Sequence, residues 1–199
     1  MWRQRAASSR GTVIVAGRST RSLAGIGDIV AEGFTCATCG QFHEDLPMSY
    51  GAEAPLPWFH VAPEERKKRT ELSSDQCTID DEHFFILGRV EIPVRDSDEV
   101  FSWLAWASLS QANFERASEL WDTEGRESEP PYFSWLSTSL PGYPETFLLK
   151  ARVHTRPIGQ RPYIELAATD HPLAIEQRDG ITMQRVREIA EMVLHDNAR

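Results

Sequence analysis

Cys36, Cys39 and His43 fall within one short stretch, "CATCGQFH", the most specific chemical signal in the chain. Two thiolates two residues apart can share one tetrahedral ion. A glycine directly after them, here Gly40, lets backbone N–H groups turn toward the sulfurs. That is half of a zinc knuckle, and the second Cys-x-x-Cys that usually completes one is missing. The residues left to complete it are His43 and the third cysteine, Cys77 in "DQCTID". The expected ligand set is therefore Cys36, Cys39, His43 and Cys77 around a structural zinc, with His60 as the substitute for His43. Two other readings compete: a pair of ordinary thiols, and a redox pair. The redox pair is disfavoured because it needs the first cysteine at a helix N-terminus after a buried strand. "GQFHEDLP" leaves only a few residues before Pro47.

Other groups that could do chemistry have plainer explanations. In "ATDHPLAIEQRDG", His171 can act as a base oriented by Asp170 or Glu176. The same residues also read as a short capped helix, with Asp170 or His171 at the cap, Pro172 in the first turn and Gly180 as the stop. The helix is preferred, because no nucleophile in a recognisable frame accompanies the histidine. Lys150, Arg152, His154 and Arg156 form a row that can receive an anion. It reads better as the solvated face of a strand, paired with acids such as Glu91 and Glu165. "LPGYPET" is either a recognition loop carrying Tyr143 or a strand connection. No phosphate loop, dinucleotide fingerprint, nucleophile elbow or two-histidine protease helix is present.

The elements that must position these groups are written in period-two alternation. "FFILGRVEIPV" places Phe84, Ile86, Gly88, Val90, Ile92 and Val94 on one face. "FSWLAWASL" places Phe101, Trp103, Ala105, Ala107 and Leu109 together and leaves Trp106 on the other side, as a second packing surface or a pocket wall. "TFLLKARVHTR" sets Phe147, Leu149, Ala151 and Val153 against the basic row. "YIELAAT" and "YFSWLST" supply two further strands. One dry and one wet face predict an antiparallel sheet. Helices are expected from Pro63, from Ser110 as N-cap, and after Gly180, where Ile181 and Val186 form a hydrophobic staple. The fold class expected is α+β: a single antiparallel sheet of about five strands, helices packed on one face, and an N-terminal Cys-x-x-Cys knuckle.

The chain has 199 residues and a formal net charge of −9. That field repels phosphate backbones, so nucleic acid is excluded as a partner. No apolar run is long enough to cross a membrane. An odd cysteine count in a chain of this length favours a reducing compartment, the cytoplasm. Residues 1–31 are rich in Arg and Ser and read as a basic, disordered tail. Residues 32–199 form the domain.

The pieces "CATCGQFHEDLP", "LSSDQCTID", "HFFILGRVEIPV", "FSWLAWASLSQANF", "YFSWLSTSLPGYPET" and "IELAATDHPLAIEQRDGIT" together resemble the bacterial family called domain of unknown function 2199. The resemblance covers residues 34–184 and implies no activity. It departs from the family at "WLAWASLS" and "YFSWLS", where a glycine is expected beside the tryptophan.

The function expected is a non-enzymatic binding or protein-interaction module with a structural zinc, acting on a protein or small-molecule partner. The acidic balance suits a basic partner. The alternative is an enzyme or small-ligand binder with a pocket near His171, His154 and Trp106.

Overall fold

The computed structural model describes residues 13–15 and 33–196. In chain order the elements are β1 (Val13–Val15), β2 (Phe34–Thr35), β3 (Phe42–His43), β4 (Ser49–Ala52), α1 (Leu56–Phe59), α2 (Pro63–Arg69), β5 (Thr70–Leu72) and β6 (Gln76–Ile79). Then follow β7 (His83–Pro93), β8 (Val100–Leu109), α3 (Gln111–Glu119), a 3-10 turn (Arg126–Ser128), β9 (Tyr132–Leu136), β10 (Lys150–His154), β11 (Tyr163–Leu166), α4 (Pro172–Asp179) and α5 (Met183–Asp196).

The centre is the antiparallel hairpin β7–β8, paired without interruption from Phe84↔Leu109 to Pro93↔Val100. Its strands are longer than any neighbour, so each outer edge is shared between two partners. On β8, Ser102–Leu104 takes β4 in parallel and Ala107–Ser108 takes β9. On β7, Phe84–Ile86 takes β6 and Arg89 takes β11 in parallel. The meander β9–β10–β11 thus leaves β8 near one end of the hairpin and returns to β7 further along. The result is a closed, mixed five-stranded barrel, β7-β8-β9-β10-β11, with arms β4–β1 and β6–β5 outside it.

This corrects the expected fold class. The sheet is neither single nor antiparallel, and the helices do not lie on one face. The expectation failed because the hairpin has no wet face over most of its length. Phe101, Trp103, Ala105, Val90 and Ile92 point into a main core together with Ala151, Val153, Ile164 and the buried stripes of α4 and α5. Phe85, Leu87, Leu104 and Trp106 point the other way, into a second core with Val61, Cys77 and Ile79. Strands covered on both faces are compatible with parallel neighbours. The off-phase Trp106 does mark a second packing surface, and its indole N–H donates to the Ala52 carbonyl.

The helix ends follow the sequence signals. Ser110 Oγ accepts from the Asn113 N–H, Thr182 Oγ1 from the Arg185 N–H, and His171 Nδ1 from the Leu173 N–H. Gly180, at φ 76°, stops α4. Ile181 and Val186, the staple pair, are both buried. The strand phase of β10 is as expected, with Ala151 and Val153 buried and Lys150 and Arg152 exposed. Phe147 and Leu149, expected to share that buried face, are only half-buried. They precede the strand, in a turn where Leu148 takes φ 67°. Val13–Val15, within the expected tail, runs antiparallel to β4. The rest of residues 1–32 lies outside the described residues. Among the described residues no helix is long and apolar enough to cross a membrane.

Two contacts hold the seam where β11 meets β7. A Cβ on Gly88 would stand 2.8 Å from Ile164 Cγ1 and 2.9 Å from the Pro162 carbonyl oxygen. The glycine is there for close approach. Nearby, both guanidinium Nη atoms of Arg156 donate to the two Glu91 oxygens at 2.7 Å.

Gly88→Ala is expected to destabilise the protein by about 1–3 kcal/mol through overpacking against a backbone that cannot retreat. Denaturant titration measures this, and an unchanged midpoint would remove Gly88 from the closure.

The Arg156 fork holds the Glu91 carboxyl below its ordinary range, against burial that pushes it up. A depressed folded-state pKa gives stability that is present above the ordinary carboxylate value and is lost as pH falls through the folded one. Glu91→Gln is therefore expected to cost on the order of 1 kcal/mol at neutral pH, with the difference vanishing at acid pH once the folded-state carboxyl is protonated. Parallel curves at both pH values would contradict it.

Candidate metal centre

The knuckle is built by the short ribbon β2–β3, in register Phe34↔His43 and Thr35↔Phe42. Between the two strands the chain turns in six residues. The Gly40 N–H donates to the Cys36 carbonyl and the Cys36 N–H to the Gln41 carbonyl, both at 2.9 Å. Gly40 takes φ 69°, the left-handed conformation that the turn requires and that a side chain would oppose. Phe34 anchors the ribbon in the main core and stacks on the His43 ring, with centroids 5.1 Å apart. These contacts bring ligand atoms of Cys36, Cys39 and His43 within 4.8 Å of one another. Cys39 Sγ lies 3.6 Å from His43 Nε2. Tetrahedral zinc with ordinary bond lengths sets sulfur and nitrogen about 3.6 Å apart, so Cys39 and His43 already sit at ligand spacing and Cys36 is close enough to share the ion.

Their environments differ. Cys36 is fully buried and Cys39 is exposed. Burial pushes the Cys36 thiol up, but N–H groups of Cys39 and Thr38 and the ring of His195 outweigh it and bring it down to about 6. Cys36 is thus poised as a thiolate, the form a metal takes.

The fourth expected ligand is elsewhere. Cys77 lies in β6, opposite Phe85, and is buried in the second core. Burial pushes its thiol up to about 12. It packs as a small hydrophobic residue and is not brought to the knuckle. The reason is strand phase: β6 extends the edge of β7, and Cys77 points with its partner Phe85 into the second core. His60 closes α1 at its C-cap and is exposed.

Two contacts were not read from the sequence. His195, in the last turn of α5, places Nε2 at 3.1 Å from Cys36 Sγ. One turn earlier, Glu191 Oε1 accepts the Ala37 N–H at 2.6 Å. Residues four apart share a helix face, so both side chains of α5 meet the knuckle. The Glu191–His195 spacing is the signal in the sequence, but nothing near it in the chain ties it to the knuckle.

The remaining candidates resolve into structural roles. His171 caps α4. His154 pairs with Glu165 across the β10–β11 ladder at 2.8 Å. Trp106 fills the second core. Half of the basic row is matched by acids, His154 by Glu165 and Arg156 by Glu91, and Lys150 and Arg152 stay exposed. Tyr143 turns inward, donating to Glu176, which also accepts from Arg185 at 2.9 Å. "LPGYPET" is therefore a fastened connection. A cavity of about 540 Å³ is lined by Asp75, Arg89, Trp121, Arg126, Arg156 and Arg161. Three of its guanidinium groups are engaged internally: Arg161 bonds Asp75, Arg156 bonds Glu91, and the buried Arg126 donates to the carbonyls of Trp121, Arg156, Pro157 and Gln160.

Comparison with curated proteins and with solved structures finds no match. One family profile does match, described as uncharacterized protein conserved in bacteria, over residues 35–181. That segment spans most of the chain, from the first residues of the knuckle through the barrel and α4 to the start of the last helix. The chain belongs to this bacterial family, DUF2199.

Proposed function

We propose that the chain is a non-enzymatic binding or interaction module whose N-terminal knuckle is fixed by a structural zinc. The observation that carries this reading is the convergence of Cys36, Cys39 and His43 on one turn, with Cys36 sealed from solvent. A buried sulfur cannot meet a substrate, but it can hold an ion. Two thiolates and an imidazole suit zinc over magnesium or calcium, which prefer oxygen. The competing enzyme reading needs His171, His154 and Trp106 to share a pocket. Their separate roles in a helix cap, a strand ladder and a packed core weigh against it. The net charge of −9 favours a basic partner. Free thiols at all three cysteines suit a reducing compartment, the cytoplasm.

Elemental analysis of the purified protein is expected to give one zinc per chain. Cys36→Ser and Cys39→Ser should each lose it and lower the thermal midpoint by about ten degrees, since binding free energy at a structural site is folding free energy. A metal-free wild-type protein with the same midpoint in zinc and in chelator would end the reading.

Cys77→Ala should keep its zinc while costing on the order of 1 kcal/mol in stability from its core position. Loss of zinc in that variant would restore Cys77 as a ligand.

A further inference from the structure

We infer that His195 is the fourth ligand of the site, closing a Cys₂His₂ tetrahedron that joins the N-terminal knuckle to the C-terminal helix. This rests on the metal reading above and goes beyond it, because it names a residue outside the family match, which ends at residue 181.

Three observations carry it. The first is distance: Cys36 Sγ and His195 Nε2 are in hydrogen-bond contact at 3.1 Å, about half an ångström short of the sulfur–nitrogen edge of a zinc tetrahedron. The second is placement. The Glu191 carboxylate grips the Ala37 N–H, so the helix is docked on the knuckle one turn before His195. Val186, Ile189, Ala190 and Val193 are buried in the main core and fix the rotation of α5. The third is coordination number. Cys36, Cys39 and His43 supply three donors, and a structural zinc takes four. His195 is not as close to all three donors as they are to one another. Closing the tetrahedron needs its Nε2 to approach Cys39 and His43 while staying within a tetrahedral edge of Cys36. With that fourth donor in place no position is left for water or substrate, which separates this site from a catalytic zinc.

The test compares wild type, His195→Ala and His195→Cys. Zinc affinity is read by competition with a chromogenic chelator, and coordination by the visible spectrum after cobalt(II) substitution. Wild type should bind one zinc and show the intense bands of a tetrahedral cobalt site. His195→Ala should lose at least the ~10–100-fold in affinity that removal of a mere hydrogen-bond partner of a ligand costs, and its cobalt bands should weaken as water enters. His195→Cys should regain tetrahedral bands with added sulfur-to-metal charge-transfer absorption, a gain that a packing role for His195 does not produce. If wild type binds zinc and His195→Ala matches it in affinity and spectrum, the metal reading survives and His195 is no ligand. If His195→Cys binds with no added sulfur band, the inference is likewise overturned. If wild type takes up no zinc at all, the metal reading falls first and the fourth ligand with it.

Discussion

A β-hairpin with strands longer than any of its neighbours governs this structure. An unpaired stretch of strand edge leaves backbone N–H and C=O groups without partners, and buried groups of that kind must be satisfied. Both outer edges of β7–β8 are therefore divided between two neighbours. That division produces the branching, and the branching produces the barrel. The Ser102 hydroxyl, fully buried at the branch, donates to Ser49 and accepts from Arg89, tying β4, β8 and β7 at one point. Trp106 lies beside the second branch, where its backbone N–H donates to Thr138 Oγ1 and its carbonyl accepts from Ser137.

The same constraint explains where the chemistry is. The hairpin has one face toward each of two cores, so residues near it in sequence are sorted by face. Cys77 goes with β6 to the second core, while the main core receives Phe34, Cys36 and the stripe of α5. The knuckle and the end of α5 meet because both lean on the main core. Their contact spans 159 positions of sequence. Chain proximity gave no hint of it.

What the sequence revealed depended on the range of the interaction. Local signals were legible: the Ser110 cap, Pro172 and Gly180 bounding α4, the turn at Gly40, and the alternating faces of β7 and β8. Each is decided within a few residues by backbone conformation or side-chain reach. The Cys36, Cys39 and His43 group was legible for the same reason, since the turn sets its spacing. Barrel closure was not, because it depends on Gly88 meeting Pro162 and Ile164, and a lone glycine in a strand does not name its neighbour. The buried Arg126 was also missed. Its four carbonyl acceptors lie in the segment after α3 and in the β10–β11 loop, and nothing near Arg126 in sequence marks it as buried.

The seam also dictates the sequence of events in folding. Turning β7 back onto β8 closes a loop of only a few residues, whereas the parallel pair Tyr163↔Arg89 brings together positions about seventy apart. Loop-closure entropy opposes the second far more than the first. The hairpin is therefore expected to form in the folding nucleus and the β11–β7 pairing after it. Until that pairing forms, part of the β7 edge and the β11 edge lie open, the kind of exposed strand edge on which aggregation can begin.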